Sequence, residues 1–300
     1  MNSVLQSLQP AARIRVAVVI ATKGRPRALV ELLRLLECQS QPPAVVVISA
    51  TGAADVELPM PTTLNIECVY GPPGSASQRN KGLELIDGRA DVAVFFDDDF
   101  APAENWLEEC AGVFFLEPNN AGANGFIVHD GAKGEPVSWQ EARLLMARQG
   151  HDPRIVSRIP DLYGCNMAFR MSAISELRFD ERLVLYGWLE DKDFSRQAGK
   201  KGDLVQCNAL VGVHLGLQAG RVSGKRYGYS QVVNAWYLYR KGIMSLREAS
   251  VHILKALAAN AAKAVGRQGY IDRRGRLRGN LIGVAHLLSG SCRPERVAQL

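Results

Sequence analysis

A chain of 300 residues with 47% hydrophobic and 22% charged side chains buries one large core with an appendage, or two smaller cores, which excludes a disordered polypeptide. No apolar run approaches the ~18 residues that span a bilayer, and no basic segment followed by an apolar one opens the sequence, so a cytoplasmic protein is expected. The net charge of +6 is uneven: from residue 251 onward nine lysines and arginines oppose only Asp272 and Glu295, leaving the tail at +7 and the first 250 residues at −1.

Residues 1–12 show no period and read as a loose lead-in. Residues 14–21 (IRVAVVIA) form a β-branched run, hence a buried first strand, broken by Thr22-Lys23-Gly24-Arg25-Pro26. Leu29, Val30, Leu32, Leu33 and Leu36 then recur at helical spacing over residues 27–38, and residues 44–49 (AVVVIS) return to buried-strand material, completing a βαβ unit. A loop over 51–63, a short strand over 65–70 and a turn at Gly71-Pro72-Pro73-Gly74 lead to a predicted helix over 75–86 that carries Arg79-Asn80-Lys81-Gly82.

Residues 92–100 (VAVFFDDDF) run from buried-strand pattern straight into three carboxylates. An apolar run of this kind reads as a strand covered on both faces, so the acids emerge at its carboxyl end, where open α/β sheets place ligands. Three such carboxylates repel one another unless a cation sits among them, and hard oxygen donors suit Mg²⁺ or Mn²⁺ better than zinc. The competing reading is a solvated acidic turn.

An amphipathic helix over 104–116 and a strand over 121–128 follow. Periodicity fades over 131–160, which reads as a lid or acceptor-side excursion rather than core. Order returns at 163–170 (YGCNMAFR), a second carboxylate cluster (residues 186–194, YGWLEDKDF) opens a helix, and residues 204–207 and 210–214 read as two short strands. Beyond Tyr227 the chain reads as wholly helical. Six scattered cysteines without a C-x-x-C pair fit reduced thiols rather than a disulfide framework or a zinc site.

Taken in order, VAVVIATKGRP, SQRNKGL, FFDDDF, GCNMAFR, FDERLVLYGWLEDKDF and VHLG resemble the family 2 glycosyltransferases of the GT-A fold over about residues 15–241. The resemblance implies a Rossmann-like mixed α/β sheet flanked by helices, and inverting transfer of a sugar from a nucleoside-diphosphate sugar to an acceptor hydroxyl. It implies Asp99 on a Mg²⁺ or Mn²⁺ ion, with His214 as a further metal contact, and Asp97 or Asp98 on the ribose. Asp191 matches the family's base, with Glu190 and Trp188 on the acceptor side. Thr22, Arg25, Ser49, Arg79 and Asn80 fall on the donor side. Ser49 stands where the family usually has a base-reading Asp, which puts uridine specificity in doubt. A core histidine remains the alternative for His214, and a helix N-terminus dressed in acids for Asp191.

The resemblance divides the chain into a catalytic domain over 1–243 (a donor half about 14–130, an acceptor half about 131–243) and a basic helical region over 244–300. A sugar-phosphate nucleotidyltransferase would share sheet, nucleotide and metal, but its first strand should open onto a glycine-rich loop, and 22–26 has one glycine and a proline. A nucleic-acid-binding protein is the reading from another class; the tail has few aromatics among its arginines, so no nucleic-acid partner is expected. A glycan or lipid-linked acceptor is the expected partner. In the tail, Val251, Leu254, Ala258, Ala261 and Val265 form an apolar stripe, and Leu277, Leu281, Val284 and Leu288 repeat it. Either these helices pack on the catalytic domain with basic faces in water, or they dock on anionic lipid, which would make the protein peripheral on the cytoplasmic face of a membrane.

Overall fold

A computed structural model describes residues 14–58, 62–149, 155–220, 222–264 and 271–300. The expected lead-in, together with Val265 of the tail stripe, lies outside the described residues. Strands β1 (Val16–Thr22), β2 (Val45–Ala50), β3 (Ile66–Tyr70) and β4 (Val92–Asp97) are the apolar runs of the sequence, and they pair in parallel in the order β3-β2-β1-β4. Helices α1 (Pro26–Glu37) and α2 (Ser75–Ile86) are the crossovers. Alternating residues feed two cores. Val18, Ile20, Val46, Ile48, Val94 and Phe96 face α1 and Trp106, whereas Ala17, Val19, Val45, Val47 and Phe95 face α2 and a cluster of Phe169, Phe179 and Phe194. Burial on both faces explains why these strands read as unbroken apolar runs.

Register aligns the strand ends. Ala21 pairs with Ser49 on one side and with Asp97 on the other, so the loops after β1, β2 and β4 meet at one edge. Helix α2 lies close against β1: a Cβ on Gly82 would stand 2.2 Å from Val19 Cγ1. That approach buries the polar triplet Gln78, Arg79 and Asn80, which the sequence presents as a polar face.

The acidic strand is interrupted. β4 ends at Asp97, Asp98 and Asp99 make the turn, and Phe100 begins β5 (Phe100–Pro102), which pairs antiparallel with β9 (Asp203–His214), Phe100 opposite His214. After α3 (Trp106–Leu116), β6 (Asn120–Asp130) pairs in parallel with β9, and β8 (Asn166–Arg170) joins β4 to β6 antiparallel on both sides. The two short strands expected over 204–214 are one strand. Their apparent break is a bulge, where Gly125 faces Cys207 but Phe126 faces Val211.

The stretch 131–160 is not only an excursion. It contains α4 (Trp139–Arg148), opened by a capping box between Ser138 and Glu141, whose Ala142 is buried with Leu35, Val213 and Leu215. Near its end, β7 (Val156–Arg158) pairs with β9, which makes nine strands among the described residues.

The single turn α5 (Met171–Ile174) leads toward α6 (Glu190–Ala198), which Phe194 seats by stacking on Phe179 with ring centroids 3.9 Å apart. The C-terminal part is helical as expected: α7 (Gly224–Arg240), α8 (Leu246–Ala264), α9 (Arg273–Leu288) and a closing 3-10 segment, Pro294–Gln299. Leu183 and Leu189 pack on Ala235 and Leu238 of α7, while Asn260 of α8 and Asn280 of α9 bond each other 2.8 Å apart beside Gln231 of α7. No helix among the described residues is long and apolar enough to cross a membrane.

Helix α8 is tied to α6 by charge. Lys192 and Arg196 both reach Asp161 and Glu248, with Arg196 2.6 Å from Glu248. The Arg196 hydrogen bonds hold the Glu248 carboxyl down at about 2. A carboxyl held below its ordinary value of about 4.3 adds stability above that value and loses it as pH falls through the lowered one. Glu248→Gln should therefore unfold at a lower temperature than the parent at neutral pH, with the gap closing as pH falls from about 4.5 toward about 2. Thermal unfolding across that range checks it; a constant gap would show that the contribution is not the ion pair's.

Candidate active site

Three adjacent carboxylates at the end of β4 face three different environments. Asp97, the last residue of β4, keeps a third of its side-chain surface exposed and receives Arg79 Nη2 at 2.9 Å. Asp98 turns inward, where the Thr22 hydroxyl (2.7 Å) and Arg25 Nη1 (2.7 Å) donate to it. Burial pushes the Asp98 carboxyl up, opposed by Arg25. Asp99 is as buried, but His214, Arg25 and the Leu217 amide (2.8 Å) hold its carboxyl below the usual range. Arg25 also reaches the carbonyls of Leu217 (3.0 Å) and Ala219 (2.5 Å), pinning the segment after β9 over the acids.

His214 ends β9 with Nε2 3.4 Å from Asp99 and 4.0 Å from Asp97, while Nδ1 lies 3.0 Å from Asp130 at the end of β6. Burial alone would lower this imidazole; Asp130 and Asp99 outweigh it and raise the ring to about 10. One ligand atom from each of Asp97, Asp99 and His214 falls within 4.8 Å of the others. Two carboxylates and an imidazole whose far nitrogen is held by a third carboxylate form a donor set that fits Mn²⁺ or Mg²⁺.

The second half of the site hangs on Arg79. Its guanidinium is buried; besides Asp97 it donates to the Gly164 carbonyl (3.1 Å) and pairs with Glu190 at the start of α6. Burial disfavours its charge, but Glu190, Asp97 and Asp191 together raise its pKa. The Gly164 amide in turn donates to Asp191 Oδ2 (2.9 Å), and the Lys192 amide donates to Oδ1 (2.8 Å). A Cβ on Gly164 would meet Asp191 at 3.3 Å, tight enough that an added side chain would push the carboxylate back by a few tenths of an ångström. Burial raises the Asp191 carboxyl against those two amides. The segment before α6 is strained, since Leu185 and Leu189 both take positive φ (62° and 72°). Half-buried Trp188 lies 5.2 Å from the Tyr227 ring, which also meets Tyr186 at 5.5 Å and Arg276 at 4.0 Å.

Several expected residues hold the site from behind. Asn80 has both ends of its amide on Phe179 and Glu181, clamping residues 179–181 to α2 rather than facing the acids. Ser49 is fully buried and its hydroxyl has no hydrogen-bond partner among the described residues. Glu190 is buried with one oxygen on Arg79 and the other unpartnered, and Asp98 is committed to Thr22 and Arg25. Sequence reading did not single out Gln78, which donates to the carbonyls of Thr22 (2.9 Å) and Ser49 (2.7 Å) and so locks the ends of β1 and β2 together. Nor did it find Asp130 or Asp55. Asp55 accepts from the amides of Gly24 (2.7 Å) and Thr51 (3.0 Å), tying the loop after β1 to that after β2. A cavity of about 450 Å³ opens beside Asp130, lined among others by Lys133, Tyr163, Asn166 and Gln206.

With this geometry the comparisons agree in part and at different depths. A family model described as glycosyl transferase family 2 matches residues 18–178. None of the curated proteins matches the sequence. Among solved structures, TarS of S. aureus superposes with a TM-score of 0.51 at 15% identity, over 85% of this chain and 44% of its own, so the chain spans less than half of that protein. A mannosyltransferase from Pyrobaculum calidifontis, solved with GDP-Man and Mn²⁺, aligns over 94% of this chain and 88% of its own at 14% identity with a TM-score of 0.49. The fold is GT-A: a mixed sheet flanked by helices.

Removing one partner of a buried ion pair leaves the other charge uncompensated, at a cost of about 3–5 kcal/mol. Arg79→Met should lose about that much stability in chemical denaturation, and adding Glu190→Gln should recover part of it by neutralising the orphaned carboxylate. Additive losses in the two variants would break the link between α2 and α6.

Proposed function

The chain belongs to glycosyl transferase family 2, and from that premise we propose that it moves a sugar from a nucleoside-diphosphate sugar to an acceptor hydroxyl, inverting the anomeric carbon. The observation that carries this reading is the convergence of Asp97, Asp99 and His214 at the end of β4, joined through Arg79 to the helix that bears Asp191. A divalent cation, Mg²⁺ or Mn²⁺, held there supplies a Lewis acid for the diphosphate as it departs. Asp99 and His214 are its ligands in this proposal, with the exposed edge of Asp97 beside them for the ribose. Thr22, Arg25 and Asp98 fix the floor on which those groups stand.

Inversion requires the acceptor oxygen to attack from the face opposite the leaving diphosphate, and its proton has to be taken up on that side. Asp191 is linked to Asp97 through Arg79 and Gly164, so the two carboxylates stand on different parts of the site. The Asp191 carboxyl, raised by burial against the amides of Lys192 and Gly164, is a better proton acceptor than an exposed aspartate. Trp188, with Tyr186 and Tyr227 beside it, offers aromatic faces to an acceptor sugar, and Glu190 buttresses the start of α6 through Arg79. By analogy with the family, the acceptor is a glycan or lipid-linked glycan of a surface polysaccharide.

Asp99→Asn should weaken Mn²⁺-dependent binding of a nucleoside diphosphate in calorimetry and, because it removes a buried partner of His214 and Arg25, should also unfold at a lower temperature while still folding, as circular dichroism would show. Equal binding by variant and parent would remove Asp99 from the metal. Asp191→Asn keeps shape but cannot take a proton at neutral pH, so transfer should fall by on the order of 10²-fold or more with donor affinity retained. Near-normal turnover would place the base elsewhere, and loss of donor binding would make Asp191 structural.

A further inference from the structure

Much of the apolar stripe of the C-terminal helices faces outward, although Leu277 and Val284 of α9 are half-buried. Helix α8 turns Ala249 and Asn260 inward, with Ile253 partly buried, and leaves Val251, Leu254, Ala258 and Ala261 on the outside, Leu254 64% exposed. Helix α9 buries Gly279, Asn280 and Gly283 against α7 and leaves Leu281 (57%) and Leu288 (80%) outside. The outward positions keep helical spacing: Arg247, Val251, Leu254, Ala258 and Ala261 on one helix, Arg274, Arg278, Leu281, Ala285 and Leu288 on the other. Single exposed leucines are ordinary on a protein surface; exposed apolar stripes on two helices that pack side by side are not.

Charge says what covers them. Arg247, Lys255, Lys263, Arg274 and Arg278 are all exposed on α8 and α9. Of the two acids nearby, Glu248 is turned inward onto Arg196 and Lys192, and Asp272 caps the start of α9 through the Gly275 amide. Arg273 and Arg276 are structural, bonded to Asn260 and lying over Tyr227. A second copy of this chain would bring like charges together on such a face, and a nucleic acid would leave the leucines in water. An anionic bilayer satisfies both, with phosphates for the cations and an acyl boundary for the apolar side chains.

We propose that the outward face of α8 and α9 docks this protein on an anionic phospholipid surface. Because Glu248 of α8 is bonded to Lys192 and Arg196 of α6, docking fixes the lipid surface relative to the helix that carries Asp191, independently of which donor or acceptor the site uses. The full chain should sediment at low salt with phosphatidylcholine vesicles containing about a third phosphatidylglycerol, stay in solution with pure phosphatidylcholine, and be released at about 0.5 M salt. Lys255→Gln/Arg278→Gln, which spares Arg274 because its Nε donates to the Ala264 carbonyl (3.0 Å), should lower partitioning by roughly 30-fold. Leu254→Ser/Leu281→Ser should lower it by about tenfold or more. Thermal unfolding and nucleoside diphosphate binding should be unchanged in both double variants, which separates this proposal from the reading of the active site. No sedimentation at low salt, equal binding to neutral vesicles, or parent-like partitioning of either variant overturns it. So does concentration-dependent dimerisation that the leucine variant abolishes, which would give the face to a second copy.

Discussion

One buried guanidinium holds the two halves of this site in a fixed relation. Arg79 reaches Asp97 at the end of β4, the Gly164 carbonyl before β8 and Glu190 at the start of α6, so a single side chain touches three segments that are far apart in sequence. Isolating such a charge from water costs several kcal/mol, and only the surrounding carboxylates make it tolerable. The converse also holds. Glu190 is buried with one oxygen unpartnered, and without Arg79 it would have no reason to be ionised there. Arg79 is held in place from the other side by Gly82, whose missing side chain lets α2 sit against Val19 of β1. Packing of a helix on a strand and electrostatics of the site are thus one constraint.

The same logic extends outward from α6. Phe194 anchors that helix in an aromatic cluster, while Lys192 and Arg196 on its other side engage Asp161 and Glu248. Helix α6 is therefore fixed by apolar contact toward the sheet and by charge toward α8. The basic C-terminal region is bound into the domain at its inner face and carries its surplus charge outside.

Much of this was legible in the sequence where one rule decides the structure. Runs such as residues 92–96 have to be doubly covered strands, and the acids that follow have to emerge at a strand end. The helix over 75–86 was readable from the turn before it. The helix in 131–160 was missed although its capping box, Ser138 and Glu141, stood in the sequence, because only Ala142 of that helix is fully buried and so little apolar period shows. Roles within the site were less legible. Asn80 and Asp98 have the residue types of a donor site, yet tertiary contacts commit one to Phe179 and the other to Arg25. Of the tail stripe, Val251, Leu254, Ala258, Ala261, Leu281 and Leu288 face outward while Leu277 and Val284 are half-buried, because which side of each helix meets its neighbours is a matter no local pattern encodes.

The turn between β4 and β5 shows why three consecutive aspartates can serve different ends. A continuous strand would point Asp97 and Asp99 to one face and Asp98 to the other. Breaking the strand at Asp97 sends Phe100 into a second pairing opposite His214, so the histidine meets Asp99 through sheet register rather than through any motif near it in sequence. The bulge in β9 against β6 is part of the same construction, since three extra residues between Cys207 and Val211 set where β9 ends relative to Asp130. Asp130 then orients the ring whose other nitrogen faces the acids. Repulsion among the carboxylates is relieved by direction: Asp98 is neutralised from below by Arg25, Asp97 from the side by Arg79, and Asp99 looks to His214 and Arg25. A site assembled in this way holds its carboxylates close together while each has a buried partner that offsets their mutual repulsion.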